Sequence, residues 1–110
     1  MEPAGQPSLT EAMNQLWIRF LPQIEERVTV LEAAAIALAG GSLDSAQREQ
    51  ASSAAHKLAG VLGTFCLVEG TDLAREAEDY YSSDPKIDRG AAGRQAEIAE
   101  QLRAMLKARH

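Results

Sequence analysis

The side chain in this 110-residue chain most conspicuously placed for covalent chemistry is one of its two histidines, His56. It lies in the stretch Ala-Ala-His-Lys-Leu-Ala-Gly-Val-Leu-Gly-Thr-Phe, residues 54–65. A neutral imidazole nitrogen is a good nucleophile near pH 7, because a free imidazole titrates at about pH 6.5. Covalent chemistry there also needs open, in-line access for the donor. The surrounding residue types provide it. Ala51, Ala55, Leu58, Leu62 and Phe65 recur at three- and four-residue steps, the stripe of an amphipathic helix, and His56 falls off that stripe. Its same-face neighbours Ser52, Ser53, Ala59, Gly60 and Gly63 are all small. Two glycines inside a helix cost about 1 kcal/mol each relative to alanine. Either one of them ends the helix as a left-handed cap, or both clear space for another molecule to approach the imidazole.

Other chemistries find little support. The chain has no phosphate-binding P-loop, no His-Glu-x-x-His, no Cys-x-x-Cys and no nucleophile elbow. Gly60-x-x-Gly63 matches the bare pattern of an RNA-clamping loop, but a net charge of −5 argues against any nucleic-acid partner. Ser83-x-x-Lys86 lacks the companion motifs of a β-lactamase. A metal site needs several convergent ligands, and the second histidine, His110, is the terminal residue. The single cysteine, Cys66, cannot form an internal disulfide, so a cytoplasmic location is expected. No signal peptide is evident, and the longest apolar run, Val30 to Ala39, is broken by Glu32, so no membrane span is expected.

The elements that must position His56 are helical. Hydrophobic residues make up 45% of the chain with only five aromatics, and alanine without β-branched runs favours helix over sheet. Residues 1–7 read as a disordered leader. Ser8-x-x-Glu11 is a capping box opening a short helix with Leu9, Met13, Leu16, Trp17 and Phe20 on one face. Pro22 is expected to break or kink it. Ile24, Val28, Leu31, Ala35 and Leu38 then form a second stripe, closed by Gly40-Gly41. Ser42 or Asp44 is placed to cap the helix that carries His56. A fourth segment sets Leu67, Leu73, Ala77 and Tyr80 inward and ends at Ser82-Ser83-Asp84-Pro85. Asp88 is placed to cap the last helix, with Ala91, Ile98, Leu102, Met105 and Leu106 inward and Lys107 and Arg109 at its basic end. The expected fold is all-α: an antiparallel up-and-down four-helix bundle over residues 8–108, with an additional short N-terminal helix.

Ala55-His56-Lys57-Leu58-Ala59-Gly60 followed by Gly63-Thr64-Phe65 resembles the signature of histidine-containing phosphotransfer (HPt) domains, including those of chemotaxis kinases. The resemblance spans roughly Leu9 to Leu106. It implies a phosphorelay intermediate in two-component signalling. His56 would accept a phosphoryl group from a receiver-domain aspartyl phosphate and pass it to another receiver or back. The implied partners are response-regulator receiver domains and a hybrid histidine kinase, with Mg²⁺ carried by the receiver and no cofactor or kinase activity in this chain. By the same resemblance Glu78 orients the imidazole through its non-reacting nitrogen, while Ser52, Ser53, Ala59, Gly60 and Gly63 form the docking platform. Where the family often has a lysine three residues after the histidine, this chain has Ala59, so Lys57 or Arg75 is the candidate charge partner for phosphate. The position after Phe65, commonly glycine, is Cys66. The alternative is a helical adaptor that binds a receiver or kinase without being phosphorylated. A monomer is the simplest expectation.

Overall fold

A computed structural model describes residues 8–83 and 89–109. The expected leader at residues 1–7, the turn residues Asp84 and Pro85, the Asp88 cap and His110 lie outside the described residues. Four helices follow one another: α1 (Leu9–Ala39), α2 (Ser45–Thr64), α3 (Val68–Ser82) and α4 (Arg89–Arg109). Among the described residues the backbones of α1 and α2, α2 and α3, α3 and α4, and α4 and α1 lie side by side, and those of the diagonal pairs do not. Arg48 with Ser83 and His56 with Glu78 join α2 to α3 in descending register, as Glu32 with Arg103 and Trp17 with Arg109 join α1 to α4, so these neighbours are antiparallel. The result is an up-and-down bundle, 58 × 22 × 19 Å.

The helix starts follow local chemistry. Ser8 Oγ accepts the Glu11 amide at 3.1 Å. Asp44, not Ser42, caps α2: its carboxylate accepts the Gln47 amide at 2.7 Å while the Gln47 side chain accepts from the Asp44 amide at 3.2 Å, a full capping box.

At Pro22 the structure corrects the expectation of a separate N-terminal helix. Leu9–Ala39 is a single helix with the proline inside it. Proline removes the hydrogen bond to the carbonyl of Ile18, but Pro22 is exposed and Ile18 is 68% exposed, so that carbonyl lies on the wet side of the helix. Ile24, Val28 and Leu31 continue the buried stripe directly after it, and their packing holds the helix together through the defect.

The core contains the expected stripes of α1 and α2: Ile24, Val28, Leu31, Ala35 and Leu38 from one, Ala51, Ala55, Leu58, Leu62 and Phe65 from the other. In α3 the buried side is rotated from the expected one. Ala74, Ala77 and Tyr81 are fully buried, whereas Leu73 and Tyr80 only flank the core. At one end Phe65 meets Trp17 edge-on, ring centroids 5.2 Å apart, and the Arg109 guanidinium sits 4.5 Å over Trp17. On the α3–α4 surface Arg94 forks onto Glu76 at 2.6 and 2.8 Å, and this bond holds the Glu76 carboxyl below its usual range. A lowered folded-state value stabilises above the unfolded carboxyl range and is lost on acidification. Glu76→Gln is therefore expected to lower the melting temperature slightly at pH 7 and not at pH 3, as thermal denaturation at the two pH values will show.

The two glycines near His56 are not caps. Helix α2 runs through both to Thr64, and the left-handed residue after it is Cys66, at φ +59°. The Leu67 amide reaches back to the Leu62 carbonyl and the Cys66 amide to that of Gly63, both at 3.0 Å, the Schellman pattern. Helix α1 ends the same way with Gly41 at φ +71°. Cys66 is exposed, and a side chain in this conformation is strained, so Cys66→Gly is expected to stabilise the bundle by about 1 kcal/mol in urea unfolding.

Candidate functional site

His56 stands mid-way along α2, off the buried stripe, with its side chain 74% exposed. Antiparallel packing of α2 on α3 brings Glu78 beside it, 22 residues on. Glu78 Oε2 lies 2.6 Å from His56 Nδ1, and the Glu78 side chain is itself 27% exposed. A carboxylate only accepts, so Nδ1 donates, and in the neutral ring the lone pair then resides on Nε2. Nε2 has no hydrogen-bond partner among the described residues. The arrangement presents one nucleophilic nitrogen outward on a ring fixed from behind.

Around the imidazole is a shallow depression lined by Arg48, Glu49, Ser52 and Ser53 from α2 and by Glu78, Tyr81 and Ser82 from α3. Every α2 residue in it precedes His56. Side chains on a helix lean toward its N-terminus, so the imidazole lies over the turn before its own Cα. Tyr81 forms the floor at 1% exposure, and burial, then the neighbouring Tyr80, pushes its phenol up to about 12. It stays neutral at pH 7 and cannot serve as a base there.

On the other side of His56 the helix surface is bare. A Cβ added at Gly60 would meet nothing within 4 Å, and one at Gly63 only Thr71 Oγ1 at 3.9 Å. Nothing among the described residues therefore requires either glycine.

A family model described as the Hpt domain matches residues 15–109. The chain belongs to the Hpt domain family. Domains of this family act in the phosphorelays of two-component signalling. The chain is also 36% identical over 75 residues to Protein RcaC of Microchaete diplosiphon, a match covering 68% of this chain and 12% of that protein. No solved structure matches at a comparable level. Among the described residues no helix is long and apolar enough to cross a membrane.

Within this Hpt domain the structure brings together some of the residues singled out from sequence and separates others. His56, Glu78, Ser52 and Ser53 share one depression. Gly60 and Gly63 are exposed along the helix beyond it. Ala59 is corrected: it is 8% exposed and packs in the core, so it contributes little open surface. Lys57 points into the groove between α1 and α2, with Glu26, Arg27 and Glu49. Arg75 lines a separate hollow with Gly63, Cys66 and Thr71. Neither cation lines the His56 depression.

The residue overlooked from sequence is Arg48. Two turns before His56 on the same flank, it lines the depression, and its Nη1 donates to the Ser83 carbonyl at 3.1 Å. The eight-residue spacing was visible, but only the α2–α3 pairing reveals that this flank faces the C-terminal end of α3.

Proposed function

We propose that this domain is a phosphorelay intermediate in which Nε2 of His56 accepts a phosphoryl group from the aspartyl phosphate of a receiver domain and passes it to another receiver or returns it. The observation that carries this reading is the 2.6 Å contact between Glu78 and Nδ1 on an imidazole otherwise open to solvent. In the step, the Nε2 lone pair forms the N–P bond while the P–O bond breaks and its electron pair returns to the aspartate. The proton on Nδ1 stays where it is. Phosphorylation makes the ring cationic, and the Glu78 carboxylate stabilises that charge at hydrogen-bond distance.

The receiver supplies the Mg²⁺ and the phosphorylated aspartate, and this chain supplies position, because phosphoryl transfer through a loose transition state depends mainly on alignment and charge stabilisation. The open helix surface at Gly60 and Gly63 is the clearance across which the receiver docks. Gly60→Ala should then raise stability by about 1 kcal/mol, since the new methyl group touches nothing and alanine is the better helix former. Gly60→Leu should slow transfer from a receiver about tenfold or more without loss of helicity. Equal transfer rates for Gly60→Leu and the wild type would remove the platform from the mechanism.

The reading itself is tested by incubating the domain with a phosphorylated receiver. Acid-labile, alkali-stable label on the domain is expected. Binding of the receiver without label would favour the adaptor reading.

A further inference from the structure

Among the described residues, the His56 depression is lined by two carboxylates, Glu49 and Glu78, and one cation, Arg48. A phosphoryl group carries nearly two negative charges, and set beside two carboxylates it is repelled unless a cation turns toward it. The two cations that sequence suggested for this task line other hollows. Three other arginines are engaged elsewhere, Arg94 with Glu76, Arg103 with Glu32 and Arg109 over Trp17, and Arg27 lines the α1–α2 groove with Lys57.

Arg48 is differently placed. The hydrogen bond it makes is to a neutral carbonyl, that of Ser83, and it pairs with no carboxylate among the described residues. Its guanidinium therefore keeps its full charge and most of its five donors available at the edge of the depression. Ser52 lies between Arg48 and His56 at four-residue steps, and its hydroxyl has no hydrogen-bond partner among the described residues. The lean of the imidazole toward the N-terminus of α2 turns it to these groups and away from Ala59.

We propose that Arg48, with the Ser52 hydroxyl, forms the phosphoryl-binding side of the His56 site and takes the charge-neutralising role for which Ala59 is unsuited. This inference rests on the reading of His56 as the phosphoacceptor. On approach of a phosphoryl group the guanidinium exchanges the Ser83 carbonyl for phosphoryl oxygens, a charge-assisted bond in place of a neutral one. The cation thus comes from the N-terminal side of the histidine, two turns before it.

The test uses a donor too small to dock, phosphoramidate, so that a phosphoryl-binding role is separated from receiver docking. In that reaction the donor P–N bond breaks, its electron pair stays on nitrogen and ammonia leaves, while Nε2 forms the new bond. Initial labelling rates are compared for the wild type, Arg48→Ala, Arg48→Lys, Ser52→Ala, Lys57→Ala and Arg75→Ala, with melting curves for each. Arg48→Ala is expected to lower the rate about tenfold, Arg48→Lys to restore part of it, and Ser52→Ala to lower it a few-fold, while Lys57→Ala and Arg75→Ala label as the wild type does. Wild-type labelling with an unaffected Arg48→Ala rate, or loss at Arg75 or Lys57 instead, overturns this inference alone. A wild type labelled by neither phosphoramidate nor a phosphorylated receiver overturns both it and the proposed function.

Discussion

His56→Gln is expected to accept no phosphoryl group from a phosphorylated receiver while melting within a few degrees of the wild type. The chemical half of this expectation follows from the side chain: glutamine offers an amide with no nucleophilic nitrogen lone pair, and among the described residues no other imidazole lines the depression. The structural half follows from exposure. With 74% of the side chain open to solvent, the substitution disturbs no core packing and loses one surface pair, a class worth at most about 1 kcal/mol. A gel assay for acid-labile label alongside a thermal melt reads both. Label persisting on the variant would move the phosphoacceptor elsewhere.

Glu78→Ala should be the next most damaging change, slowing transfer about 100-fold. Without the carboxylate the ring rotates on an open surface, Nε2 carries the proton in part of the population, and the cationic phosphoimidazole loses its counter-charge. Glu78→Gln separates these effects. Its amide oxygen can still accept from Nδ1, so orientation is kept while the charge is lost, and an intermediate rate is expected. Single-turnover kinetics with a saturating phosphorylated receiver make the comparison, since docking is then complete for every variant. A Glu78→Ala rate equal to that of the wild type would reduce the 2.6 Å contact to an ordinary surface pair.

The two positions these variants probe were legible in the sequence to different depths. His56 stood out because helical periodicity is strong in α2: five stripe residues, all buried, leave no doubt which side faces out. Glu78 could be reached only through resemblance to a family, because a contact across 22 residues depends on how α2 and α3 pair. Arg48 was missed for the same reason.

Local rules misled where tertiary packing outweighed them. Pro22 carries a strong breaking signal, yet it sits on the wet face of a helix whose other face is held by Ile24, Val28 and Leu31. In α3 the neighbouring Tyr80 and Tyr81 exchange the expected roles, since a pair of adjacent aromatics does not by itself say which one the core selects. Between α2 and α3 a glycine cap was one of two open readings, since glycine is the residue type suited to positive φ, and it is Cys66 that adopts that conformation. That outcome bears on function. Because the turn is made at Cys66, Gly60 and Gly63 stay within the helix and on the open surface beside His56.

Which imidazole nitrogen reacts decides the mechanism, and nuclear magnetic resonance of the ¹⁵N-histidine-labelled domain after incubation with a phosphorylated receiver measures that directly. A single phosphoramidate phosphorus coupled to Nε2 of His56, with the Nδ1 proton retained, is the predicted result. Phosphorus on Nδ1, or no phosphohistidine at all, would contradict it.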